Sequence, residues 1–298
     1  MADISLVDTD LVRSLCPQRD DRGHKGTFGT LLICAGSEFM TGAQTLATES
    51  ALRSGVGMVR VFAPEKSMIG TRINCPCAMF APFEDTPENT VRSAKELMKK
   101  TSCVLIGPGL DEKDARVLHL LRFFIENSEH LVIDAGALNI LSRNKAVLFP
   151  KIRKRLEKNL APVVLTPHIG EFRRLTGQTD KDSCSSFCKD NNLITVLKNA
   201  ETYINISGKE EYTVCNPNSG MSKGGSGDVL SGLLAGLIAS GMSERDAALS
   251  AVYIHSLAGK FAAEDLGKRS MLPSDLPSYF TEAFEEIGWE AKGDQYDI

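Results

Sequence analysis

The sequence predicts an α/β protein built on one mainly parallel sheet with helices on both faces, and three observations lead there. Short apolar, β-branched runs alternate with longer helical patterns through most of the chain. The runs are apolar almost throughout rather than at every second residue, as strands buried on both faces are. Each ends in glycine, small or polar residues, the punctuation of strand-end loops.

Taken in order, strands are expected at 30–35, 58–63, 103–106, 131–133, 163–165 and 194–197. Two more, 202–206 and 212–214, flank the polar turn 207–210 and read as a hairpin adding antiparallel strands at one edge. Helical patterns occupy 41–53, 90–100, 113–126 and 180–191. Over 229–240, Val229, Leu230, Leu233, Leu234, Leu237 and Ile238 make one apolar stripe at helical spacing. Gly232, Gly236 and Ser240, four apart, suit close approach to a neighbour, inside the chain or between subunits. Another helix starts near Ser243, with Asp246 in the capping-box position, and runs to about 265. Pro273 stands in the last segment, 272–277, as an N1 proline would. No repeat or long linker intervenes, so 1–298 is expected to be a single domain, with the acidic, polar stretch 289–298 a disordered tail. No inserted lid domain is apparent.

With 42% hydrophobic and 24% charged residues the chain can bury a sizeable core, and its net charge of −4 gives no electrostatic footing for nucleic acid. A small anionic ligand is still compatible, because a local cradle binds phosphate on an acidic protein. No apolar run approaches a membrane span, and the N-terminal ten residues lack the basic and apolar regions of a signal peptide. Eight cysteines are too sparse for a disulfide scaffold, and neither Cys75/Cys77 nor Cys184/Cys188 has the paired spacing of a zinc site. Reduced thiols, no protein-held metal cluster and a cytoplasmic location are expected.

In a parallel sheet, ligands bind beyond the carboxyl ends of the strands. There the sequence places Gly36-Ser37 with Met40-Thr41-Gly42-Ala43, Gly107-Pro108-Gly109, Asp134-Ala135-Gly136-Ala137, Thr166-Pro167-His168, and Lys198. Singly these are weak: Gly-Pro-Gly makes tight turns, Thr41 can cap its helix, and His168 can hydrogen-bond within its loop. Their coincidence on one rim marks it as the candidate site.

The strongest signal is Ser222-Lys223-Gly224-Gly225-Ser226-Gly227-Asp228, directly before the apolar helix. So many glycines cost backbone entropy, while their missing side chains let backbone N–H groups approach a phosphate at a helix start. The turn has neither the spacing of a Walker A loop nor that of a dinucleotide-binding turn. Asp228 is either a carboxylate favoured by the helix dipole or the base for a hydroxyl attacking a phosphoryl group. Lys223 is either a phosphate contact or a solvated loop charge.

The Gly225, Ser226, Gly227 and Asp228 turn resembles the anion hole and catalytic aspartate of ribokinase-like small-molecule kinases. Further motifs narrow the resemblance. These are His24-Lys25-Gly26 with Phe28-Gly29, Met40-Thr41-Gly42-Ala43, Gly107-Pro108-Gly109-Leu110, Asp134 with Ala137-Leu138-Asn139, Thr166-Pro167-His168 with Gly170-Glu171, and Gly220-Met221. In residues and order they are similar to the ADP/ATP-dependent NAD(P)H-hydrate dehydratases over roughly 10–280, and the epimerase domain some relatives carry is not expected within these 298 residues.

The resemblance implies a ribokinase-like fold and a lyase that repairs NADH or NADPH hydrated at C6 of the nicotinamide ring. The hydroxyl would be phosphorylated by ADP or ATP and the phosphate eliminated. It further implies Asp228 as the base or hydroxyl contact, with Gly225, Ser226 and Gly227 holding the phosphoryl group. Ala43, Gly109, His168 and Asp228 would touch the hydrated dinucleotide. Lys198, Asn199, Ala200, Glu201 and Thr202, with Gly227, would line the adenine nucleotide. Mg²⁺ is expected to neutralise phosphoryl charge, and a symmetric homo-oligomer, a tetramer, is implied. Three positions depart from the family pattern: Gly136 replaces an aspartate, Asn199 a glycine and Asp111 a glycine. The alternatives are a kinase of a thiazole- or hydroxymethylpyrimidine-type alcohol and a non-catalytic nucleotide-binding regulator. His24-Lys25-Gly26 with Phe28-Gly29, and Thr166-Pro167-His168 with Gly170-Glu171, favour the dehydratase over the kinase, and Asp228 disfavours the regulator.

Overall fold

All eight apolar runs become strands, within two residues at each end. A computed structural model describes residues 4–290. Its strands are β1 (Ser5–Leu6), β2 (Thr30–Cys34), β3 (Met58–Ala63), β4 (Met79–Pro82), β5 (Cys103–Ile106), β6 (His130–Ile133), β7 (Val163–Leu165), β8 (Leu193–Leu197), β9 (Glu201–Ile206) and β10 (Glu210–Cys215). They join one sheet in the order β1-β10-β9-β8-β7-β6-β5-β2-β3-β4. Strands β2 to β8 run parallel, and the β9–β10 hairpin adds antiparallel pairing at one end. Outside the hairpin lies β1, parallel to β10. β1 and β4 left no continuous apolar run because both are edge strands with exposed positions.

The near-continuous apolar character of the inner strands is explained by two cores. Leu31, Ile33, Val59, Val61, Leu105 and Val132 point into one, shared with the Ser226–Ala239 and Glu244–Leu266 helices. Leu32, Cys34, Phe62, Val104, Ile106 and Ile133 alternate into the other, under the Ala115–Asn127 and Ala135–Arg143 helices.

Local chemistry sets the helix bounds. The helix expected from 90 begins earlier, at Pro87–Met98, because the Thr86 hydroxyl accepts the Asn89 N–H with proline at the first helical position. The Ser243 hydroxyl accepts the Asp246 N–H at 3.1 Å, and Asp246 Oδ2 lies 2.8 Å from it. Among the helices the sequence reading misses are Ala135–Arg143, Lys145–Arg153 and Ile169–Thr176, besides the short Thr9–Ser14 and Ile69–Asn74. The second carries Pro150 in its interior, ordinarily a helix stop. The segment 272–277 is not a helix opened by Pro273. A 3-10 turn at Leu276–Tyr279 with Pro277 in its first positions precedes the Phe280–Glu286 helix.

The small-residue face of the Ser226–Ala239 helix packs within the chain. A Cβ on Gly232 would lie 2.2 Å from the Ala47 carbonyl oxygen, and one on Gly236 would lie 2.1 Å from Ser54 Oγ. The Thr41–Leu52 helix is thereby held flush against it. Of the stretch 289–298 expected to lack order, Trp289 stacks on Phe284 at 5.8 Å and its indole N–H donates to the Val12 carbonyl. Residues 291–298 lie outside the described residues.

Candidate active site

Register carries the strand-end loops to a common rim. Cys34 pairs with Ile106, Ile106 with Ile133, and Ile133 with Leu165. Backbone bonds then continue past the strands: Gly107 N–H to Cys34 O, Gly36 N–H to Pro108 O, Asp134 N–H to Ile106 O, Thr166 N–H to Ile133 O, and Lys198 N–H to Pro167 O. Gly107, at φ +136°, allows this stitching, since a Cβ there would lie 1.7 Å from the Asp134 carbonyl oxygen.

The glycine turn sits over this rim. Its helix begins at Ser226, three residues before the apolar stripe, so Asp228 belongs to the first turn. Gly225 at the N-cap has φ +112°, and no side chain among the described residues caps the helix. The Ser226 N–H bonds the Lys223 carbonyl at 3.3 Å, while those of Gly227 and Asp228 remain available to an anion. A Cβ on Gly227 would lie 3.0 Å from Lys198 Nζ, so glycine lets the ammonium approach the helix start.

Lys198 Nζ bonds Asp134 Oδ1 at 2.9 Å, and the Asp134 side chain is 1% exposed. Burial works against the Lys198 ammonium, but the charges of Asp134, Glu171 and Asp228 outweigh it and hold its pKa above the ordinary value. Asp228 shows the converse. Burial first, then the charges of Asp134 and Glu171, push its carboxyl from 3.8 to about 7, against the opposing pull of Lys198. A carboxylate so poised can take a proton from a hydroxyl near neutral pH.

His168 is the N-cap of the Ile169–Thr176 helix, in a capping box with Glu171. Lys223, expected as a phosphate contact or a loop charge, lies half-buried beside the turn. Its ammonium bonds the carbonyls of Arg269, at 2.8 Å, and Met271.

A cavity of about 1030 Å³ opens beside the turn. His168, Lys198, Asn199, Ala200, Thr202, Gly225, Ser226 and Gly227 line it, together with His255 and Ser256 from the long C-terminal helix. Glu201 is exposed and faces away, with a carboxylate oxygen 3.5 Å from Cys215 Sγ. Ala43 and Gly109 meet elsewhere on the rim: a Cβ on Gly109 would lie 2.9 Å from that of Ala43. His24-Lys25-Gly26 and Phe28-Gly29 precede β2 and so lie at the opposite, amino end of the strands. There a Cβ on Gly29 would strike the Ala239 carbonyl.

Asp134 stands on the expected rim and Glu171 in a sequence motif, yet sequence reasoning gives neither a role in the site. The signal for Glu171 is its place three residues after a capping residue. His255 carries none. Thr166 Oγ1, Ser226 Oγ, His255 Nε2 and Ser256 Oγ are buried without partners among the described residues. Such atoms ordinarily cost stability, and here they cluster about the rim and cavity. Gly136 is tightly enclosed, since a Cβ would lie 2.6 Å from the Leu110 carbonyl oxygen. Among the described residues no three His, Cys, Asp or Glu side chains form a metal cage. The donors fit only an ion that arrives on ligand phosphates, as Mg²⁺ commonly does.

Comparison with known proteins agrees with this architecture. An ADP-dependent (S)-NAD(P)H-hydrate dehydratase of Nitrosopumilus maritimus is 33% identical over 287 residues, spanning 92% of this chain and 94% of that one. The crystal structure of a ribokinase-like superfamily protein from Enterococcus faecalis superposes with a TM-score of 0.80 at 26% identity, covering 95% of this chain and 96% of that one. That of the ADP/ATP-dependent NAD(P)H-hydrate dehydratase from Bacillus subtilis, co-crystallized with ATP/Mg²⁺, gives 0.81 at 26% identity, covering 96% and 100%. The fold is thus ribokinase-like. The chain spans only about half the length of the bifunctional NAD(P)H-hydrate repair enzymes it also matches, 51% to 54% of each. The family model described as NAD(P)H-hydrate dehydratase matches residues 31–282, from the first inner strand to the final helix, and the chain belongs to that family.

Proposed function

We propose that this protein dehydrates the S epimer of hydrated NADH or NADPH, using ADP or ATP to phosphorylate the C6 hydroxyl and then expelling phosphate. The observation that carries the reading is the Asp228 carboxyl, with a pKa of about 7, in the first turn of an uncapped helix whose leading residues line a large cavity. The names of the relatives from Nitrosopumilus maritimus and Bacillus subtilis support the substrate.

In this reading Asp228 accepts the hydroxyl proton as the hydroxyl oxygen attacks the terminal phosphorus. The N–H groups of Gly225 and Gly227 receive the developing negative charge. Lys198 adds positive charge at the same helix start and, with Asn199, Ala200 and Thr202, borders the adenine nucleotide. Ala43, Gly109 and His168 border the hydrated dinucleotide. Phosphorylation turns hydroxide, a poor leaving group, into phosphate. The ring nitrogen lone pair drives C6–O cleavage, and loss of the C5 proton restores the double bond. Mg²⁺, carried on the nucleotide phosphates, would supply charge neutralisation.

The active form is a homo-oligomer, a tetramer, in the cytoplasm. Exposed Phe39, Met40, Ile69 and Ile73 offer an apolar surface beside the helix that bears Ala43. Light scattering giving a monomer mass would overturn the assembly. For the reaction, the protein is incubated with hydrated NADH, Mg²⁺ and either ADP or ATP. Reduced-nicotinamide absorbance should return with stoichiometric phosphate and AMP or ADP. No recovery with either nucleotide refutes the dehydratase, and a stable phosphate ester from a vitamin-precursor alcohol would establish the kinase alternative.

A further inference from the structure

His168 carries a constraint that its motif does not reveal. Its Nδ1 accepts the Gly170 N–H at 2.9 Å and faces the Glu171 N–H at 3.4 Å. Glu171 closes the box by accepting the His168 N–H at 2.9 Å. A backbone N–H can only donate, so Nδ1 must present its lone pair, and a neutral ring must then carry its proton on Nε2.

Gly170 is part of the device. A Cβ there would lie 2.8 Å from His168 Cε1 and 3.1 Å from Nδ1, so any side chain would push the ring off the N–H it caps. The outer nitrogen is left uncommitted: Nε2 stands 3.6 Å from Glu171 Oε2, beyond a hydrogen bond. The side chain is 55% exposed and lines the cavity. The same construction recurs at His24, whose Nδ1 accepts from Gly26 at 3.0 Å and Thr27 at 3.2 Å.

We infer that His168 is a positioning residue locked as an Nε2–H donor by Gly170 and Glu171, selecting an acceptor oxygen on the ligand and taking no part as a base. As to which ligand, this rests on the proposed function, which sets the hydrated dinucleotide against His168. The tautomer itself does not. Proton removal is left to Asp228, whose carboxylate bears no such lock.

The test has two arms. In the ligand-free protein at alkaline pH, ¹⁵N-resolved imidazole spectra should show a protonated Nε2 and bare Nδ1 for His168, with His24 the same. In Gly170→Ala the His168 signals should move toward the tautomer mixture of a free imidazole, while those of His24 stay put. A protonated Nδ1 in the wild type overturns the proposal whatever the protein catalyses. In the kinetic arm, His168→Ser keeps a cap acceptor but cannot reach the ligand. KM for the hydrate should rise by up to about tenfold, with kcat and the nucleotide KM little changed. A rise confined to the nucleotide KM would assign the acceptor oxygen to the nucleotide instead. Loss of kcat by about a hundredfold or more, with loss of a limb of the pH profile, would make His168 a base and overturn the proposal.

Discussion

Replacing Asp228 by asparagine should make the protein slower and more stable, and the two effects should depend on pH differently. The folded carboxyl titrates near 7 against an ordinary 3.8. The folded state therefore favours the protonated form, and ionisation costs stability. That cost is absent below the unfolded pKa, grows as pH rises from about 4 to 7, and is constant above. Raising the carboxyl from 3.8 to about 7 corresponds to about 4 kcal/mol, which the partial solvent exposure of Asp228 reduces to roughly 2–4 kcal/mol. Asparagine, close in shape to the neutral acid, avoids the cost.

Urea unfolding at pH 5 and pH 8 reads this out. Asp228→Asn should exceed the wild type by roughly 2–4 kcal/mol at pH 8 and by about 1 kcal/mol at pH 5. Under the proposed function, hydrate turnover should fall by about 10²- to 10⁴-fold, the usual contribution of a positioned base, with nucleotide affinity kept. Wild-type kcat/KM should fall about tenfold per pH unit below 7. An equal stability gain at both pH values would refute the buried, charge-crowded carboxylate. Near-wild-type turnover in the variant would refute its role as base.

Other perturbations follow from the same geometry. Lys198→Met strips buried Asp134 of its partner and should destabilise the protein by about 3–5 kcal/mol in urea unfolding. It also removes the positive charge opposing the upward shift of Asp228, so the acid limb of the pH–rate profile should move above 7. His130, whose pKa is raised by its hydrogen bond to Glu244, contributes stability fully present below about 6.5 and lost as pH rises through its folded pKa. His130→Asn should therefore cost about 1 kcal/mol at pH 6 and less at pH 9, by chemical denaturation at the two values. Gly232→Val drives a side chain into the Ala47 backbone and should lower stability by about 3 kcal/mol, seen as a fall in Tm. An unchanged Tm would refute the close helix contact.

What the sequence disclosed and what it hid differ in physical kind. Runs such as Leu31, Leu32 and Ile33 are legible because burial on both faces demands apolar residues at consecutive positions, a local requirement that leaves a local trace. The glycine turn is legible for the same reason. Its φ of +112° at Gly225 and the approach of Lys198 to Gly227 disfavour side chains at those positions. The acid cluster left no such trace. Asp134 ends β6, Glu171 lies in the first turn of one helix and Asp228 in that of another, and each is an ordinary residue for its place. Only the strand order, which sets β6 beside β7 and β7 beside β8, brings Asp134, Glu171 and Lys198 together under Asp228. Had the order differed, the same residues would be three solvated caps and a surface lysine. The raised pKa of Asp228 is thus a property of the topology, whereas the anion cradle beside it is a property of five consecutive residues.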